Sequence, residues 1–121
     1  MGASQTFFHA YVMCALWSST DNADDSGGEP LDKNYGSADI APEAQAAMRD
    51  DCDMFVDTNR VDLASMTDEQ AGHDFWLTRN GHGAGFWDRG LGELGDRLTK
   101  ASEAFGECNL YVSDNGRLYI S

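Results

Sequence analysis

The densest concentration of chemically capable side chains runs from His73 to Arg89, with the sequence HDFWLTRNGHGAGFWDR. His73, Asp74, His82 and Asp88 are residue types that ligate metals or move protons. Arg79 and Arg89 are types that neutralise anions, and Gly81, Gly83 and Gly85 would let backbone N–H groups close around a phosphate. None of the spacings is that of a specific motif. His73 and His82 are nine residues apart across a glycine break, so no HExxH-like helix face joins them. Phosphate loops with a fixed signature follow a strand and carry a Lys, whereas this segment follows a helical pattern and has none. A structural reading therefore takes precedence. The glycine-rich stretch, about residues 79–90, turns the chain between two helices. Phe75, Trp76, Phe86 and Trp87 are expected to be buried beside the first helix, and Arg79 and Arg89 to pair with Asp. The alternative is a small enzyme or ligand-binding protein with His73, Asp74, Arg79, His82, Asp88 and Arg89 as its site.

The other chemistry on offer is charge. The chain has 121 residues, with 21 Asp and Glu against 8 Lys and Arg, a formal net charge of −13. Direct nucleic-acid binding is disfavoured because phosphate contacts need Lys and Arg, and anionic membranes are disfavoured for the same reason. The expected partners are basic proteins or cations, and for docking a basic host protein. Residues 21–57 hold eleven acids against Lys33 and Arg49, a balance of −9, while residues 72–121 hold seven against five, a balance of −2. Solubility or adaptation to high salt would spread acid over every surface, which the near-neutral C-terminal half argues against. The residues singled out for docking are Asp21, Asp24, Asp25, Glu43, Asp50, Asp53 and Asp57. On a helix, Asp50, Asp53 and Asp57 would be separated by ~4.5 and ~6 Å along the axis. That is comparable with a phosphate every ~3.4 Å per strand along duplex DNA.

Cys14, Cys52 and Cys108 are odd in number and far apart, and Cys14 and Cys52 fall among apolar residues at helical spacing, so buried free thiols are expected for those two. No Cys/His spacing suggests zinc, and no metal or cofactor is expected. The apolar start lacks preceding Lys or Arg and a small-residue cleavage pattern, so no signal peptide is assigned and the cytoplasm is the default compartment.

The elements that must position these groups are legible from periodicity. A first helix is expected over Gln5–Ser18, apolar almost all round and hence central and buried, with His9 as a core or boundary residue. Residues 19–36 read as an acidic loop whose spacing fails the EF-hand pattern. A second helix runs from near Ile40–Pro42, with Asp39 as a candidate cap, to about Asn59. Its apolar stripe is Ala41, Ala44, Met48, Cys52 and Phe55, and Glu43, Asp50, Asp53 and Asp57 lie opposite. Thr67–Gln70 is a capping box opening a third helix to about Thr78, with Ala71, Gly72, Phe75 and Trp76 inward. A fourth spans about Gly90–Phe105, its outer face carrying Glu93/Arg97 and Asp96/Lys100 pairs. Asn115-Gly116 between alternating apolar residues predicts a C-terminal hairpin with a type I′ turn. The expectation is one domain over residues 1–121, of class α+β, a bundle of about four helices with a hairpin packed on it.

The segment from His73 to about Thr99, with Ala15–Thr20 and Pro30–Tyr35, resembles a group of small acidic proteins encoded by bacteriophages and prophages. The group has no assigned activity, so it lends no functional residue. The resemblance implies a context: a mobile element inside a bacterial cell. Charge and context together lead to the expectation of an acidic binding protein, a nucleic-acid mimic that inhibits a host DNA-binding or defence protein. The alternatives are the His73–Arg89 enzyme and a phage structural or regulatory protein without mimicry. Replacing Asp50, Asp53 and Asp57 together by Asn is expected to leave folding intact.

Overall fold

The computed structural model describes residues 2–21, 29–81 and 85–121. Asp24, Asp25 and His82, named above as site candidates, lie outside the described residues.

Helix α1 spans Gln5–Ser18, capped by Ser4, whose Oγ accepts the Phe7 N–H at 3.1 Å and donates to Asp68 at 2.7 Å. The short strands β1 (Thr20–Asp21) and β2 (Glu29–Pro30) pair antiparallel at the base of the acidic loop. Helix α2 covers Pro42–Thr58 with Pro42 in its first turn, where a missing N–H costs nothing. Its N-cap is Ala41; Asp39 instead ends a 3-10 turn, Ser37–Asp39, and accepts the Gly36 N–H. A single turn, α3 (Arg60–Leu63), follows. Helix α4 is Asp68–Arg79, capped by the Thr67 hydroxyl accepting from Gln70 N–H. After a 3-10 turn at Phe86–Asp88, α5 spans Glu93–Glu103. It is shorter than the expected Gly90–Phe105, because Gly90 and Gly92 take positive φ and hold the chain out of the helix.

Strands β3 (Leu110–Val112) and β4 (Leu118–Ile120) form the C-terminal hairpin, so the α+β class stands. Its turn is not type I′. Only Gly116 has positive φ, and its N–H donates to Ser113 O at 2.9 Å, the arrangement of a three-residue loop with glycine in the left-handed position. Asn115 uses its side chain instead, accepting the Arg117 N–H and donating to the Tyr119 hydroxyl. The hairpin is anchored where Ala41 N–H donates to Leu118 O at 2.8 Å, which adds residue 40 as a bridge beside β4.

Helices α1 and α4 make the most intimate contact. They run in the same direction, joined by Ser4–Asp68 at their starts and by Trp76 Nε1 donating to Ser18 Oγ at 2.8 Å further along. Gly72 permits the approach, since a Cβ there would collide with the Phe7 carbonyl oxygen. Helix α2 runs back along α1 and buries Ala44, Met48, Cys52 and Phe55. At the centre Phe55 stacks on Phe75, centroids 4.1 Å apart and planes 7° from parallel, with Phe7, Phe86 and Phe105 around them.

Three of the four aromatics expected in the core are there: Phe75, Trp76 and Phe86 are buried. Trp87 is 53% exposed, because the 3-10 turn directs consecutive side chains apart and Phe86 takes the inward position. All three cysteines are buried and free. Helix α1 is buried on most sides, yet Met13 and Trp17 face outward, so apolarity all round did not mean burial all round.

Candidate functional site

The His73–Arg89 residues divide between two places. Asp74 is fully buried on α4 and accepts Arg89 Nε at 3.1 Å, Arg89 Nη2 at 2.8 Å and Gln70 Nε2 at 2.9 Å. Arg79 turns the other way, into the core between the faces of Phe75 and Phe105. It donates to the Tyr11 hydroxyl at 3.0 Å, Asp51 at 2.8 Å, and the carbonyls of Phe105 and Gly106 at 3.1 and 2.9 Å. The last two are carbonyls just past Ala104, the C-cap of α5, and the guanidinium's donors satisfy them. Burial opposes the charge of Arg79, but Tyr11 and Asp51 more than offset it and hold the guanidinium protonated; the Tyr11 phenol is itself pushed up by burial. These residues therefore tie helices together rather than converge on one centre. Asp88 is exposed. Among the described residues, no group of three or more His, Cys, Asp or Glu is placed to hold a metal ion.

His73 and Arg89 do share a feature: an open groove of about 1100 Å³ between α1 and α4. One wall is the α1 row Gln5, His9, Met13 and Trp17, at a spacing of four residues; the other holds Glu69, Gln70 and His73, with Asp32 and Arg89 completing it. Trp17 is 59% exposed, and its ring lies 6.3 Å from that of His73. Asp32 and Glu69 are exposed and, among the described residues, have no hydrogen bond or ion pair. Sequence reading missed this groove because it took α1, apolar almost all round, as buried on every side. The visible signal was the row of four itself, the only α1 row bearing Gln, His and Trp together.

The acids proposed for docking also divide. Glu43 and Asp50 are exposed and have no hydrogen bond or ion pair among the described residues. Asp53 accepts the Ala3 N–H at 2.8 Å and pairs with Arg49 at 3.3 Å. Asp57 accepts the Gly2 N–H at 2.8 Å and pairs with Arg60. The Gly2 N–H and Arg60 together hold the Asp57 carboxyl below the usual carboxylate range. This corrects the expectation for the triple Asn variant: Asp53 and Asp57 fasten the N-terminal segment to α2, so only Asp50 of the three is free of a structural task. Asp21 sits in β1, at the base of the acidic loop. Arg97 pairs with Asp62 on α3 at 3.0 Å rather than with its helical neighbour Glu93.

No family model, curated protein or solved structure matches the chain. Among the described residues, no helix is long and apolar enough to cross a membrane.

Proposed function

We propose that the protein is an acidic binding module that docks on a basic, nucleic-acid-binding surface of a host protein, as a phage- or prophage-encoded inhibitor inside a bacterial cell would. One observation carries this reading. Five of the six arginines are held in ion pairs within the fold: Arg49–Asp53, Arg60–Asp57, Arg79–Asp51, Arg89–Asp74 and Arg97–Asp62. Most of the positive charge is thereby matched internally. Among the described residues, Glu43 and Asp50 on α2 are exposed carboxylates with no hydrogen bond or ion pair, within a chain of net charge −13. Such a field draws basic surfaces in and repels nucleic acid. The test is affinity capture from bacterial lysate at low and high salt, followed by competition with duplex DNA for the captured protein. A basic DNA-binding protein that is released by salt and displaced from DNA supports the reading. A partner held regardless of salt, or one that binds DNA and this protein together, contradicts it.

A further inference from the structure

We infer that the groove between α1 and α4 receives an arginine side chain of the basic partner, its guanidinium lying on the Trp17 indole and pairing with Asp32 and Glu69. This rests on the reading of the protein as a binder of basic surfaces and names the place where one partner residue is buried.

The electrostatics select a cation. Among the described residues, Arg89 is the only Lys or Arg lining the groove, and the buried Asp74 carboxylate matches its charge through two hydrogen bonds. Asp32 and Glu69 have no such match among the described residues, so the described lining carries an excess of two carboxylates over matched charge, within a chain of net charge −13. The stereochemistry selects a guanidinium. An exposed indole face attracts cations, and a flat guanidinium stacks on it while presenting its donors at the edge. Those donors need acceptors on the lining of the same groove. Two carboxylates supply them, with Gln70, whose Nε2 is committed to Asp74 and whose Oε1 is thereby left to accept. A lysine ammonium would find the same carboxylates but, lacking a planar group, could not stack flat on the face of the ring.

The measurement is a titration of the isotopically labelled protein with capped hexa-arginine, hexa-lysine and hexa-glutamate peptides at low salt, read by ¹H–¹⁵N correlation spectra. The Trp17 indole signal is assigned from its loss in Trp17→Ala. Hexa-arginine should shift that signal and the amides of residues 5–17 and 67–73 saturably, and hexa-lysine should bind about threefold more weakly. Asp32→Asn with Glu69→Gln should weaken hexa-arginine by about tenfold. Trp17→Ala should abolish the preference for arginine over lysine. Shifts confined to residues 43–57 would overturn the groove inference and leave the acidic-surface reading standing. A shift of the Trp17 signal by hexa-glutamate would mean an anion site at Arg89 and overturn the inference. Failure of both cationic peptides to bind anywhere would overturn the inference and the wider reading together.

Discussion

Asp74 and Arg89, fifteen residues apart, meet through two hydrogen bonds on a carboxylate that has no solvent exposure. The pair ties Arg89, just after the Phe86–Asp88 turn, back onto α4 and holds it at the lining of the α1–α4 groove. A buried carboxylate that loses its cation keeps its desolvation cost and loses the attraction that offset it. Arg89→Ala should therefore destabilise the fold by about 2–3 kcal/mol, below the loss for a fully buried pair because the Arg89 side chain is 34% exposed. Asp74→Asn with Arg89→Gln should cost less than the sum of the single changes, as urea melts of the four proteins would show. Strict additivity would mean that the pair is not coupled.

Neighbours on one 3-10 turn should behave oppositely. Phe86 is buried against Phe55, while Trp87 is 53% exposed. Phe86→Ala should cost about 3–5 kcal/mol, as aromatic truncations in cores do. Trp87→Ala should cost within about 0.5 kcal/mol of nothing, the scale of ordinary surface changes. Thermal melts of the two variants decide it, and a larger loss at Trp87 would place the wrong ring in the core.

Gly72 is a packing residue, not a flexible one. It lies inside α4, where alanine would ordinarily stabilise by about 1 kcal/mol through helix propensity. Here the added methyl meets the Phe7 carbonyl oxygen and forces α1 and α4 apart. Gly72→Ala should instead destabilise by about 1–3 kcal/mol, the scale of core overpacking. A variant as stable as the parent would show that the helices can separate at no cost.

Much of the fold was legible because its signals are local. The bounds of α1, the Thr67 cap, the apolar stripe of α2 and the hairpin about Asn115-Gly116 each follow from residues a few positions apart. What periodicity could not carry is tertiary. Arg79 pairs with an Asp as expected, but which Asp, and its further bonds to Tyr11 and to the carbonyls past α5, depend on residues 26 to 68 positions away. Arg97 reaches across to Asp62 because a bidentate pair between elements is better aligned than an i, i+4 contact. The groove escaped notice because exposure of Met13 and Trp17 depends on which side of α1 is left uncovered, and an all-round apolar helix does not announce that side.

The buried thiols should be inert and should shape the alkaline limb of stability. Burial pushes the Cys14 thiol up to about 12 and raises Cys52 and Cys108 as well. The folded protein therefore retains thiol protons that the unfolded chain releases from about pH 8.5 upward. Stability from this source is fully present below that point and is lost as pH rises towards 12, through the folded value of Cys14. Chemical denaturation at several pH values should show the midpoint falling above about pH 9, and a maleimide should label no cysteine of the native protein at pH near 8. Rapid labelling without denaturant would contradict this burial.

In the proposed function, exposed carboxylates with no partner among the described residues steer a basic protein onto this surface. Glu43→Gln with Asp50→Asn tests it most directly, because neither side chain holds the structure together. The measurement is the association rate constant with the captured partner, by stopped flow, across salt from low to physiological strength, where screening shortens to about 8 Å. The wild type should lose rate steeply with salt. The double variant should associate several-fold more slowly at low salt, with a flatter salt dependence and an unchanged denaturation midpoint. Equal rates for the two proteins at low salt would contradict the account.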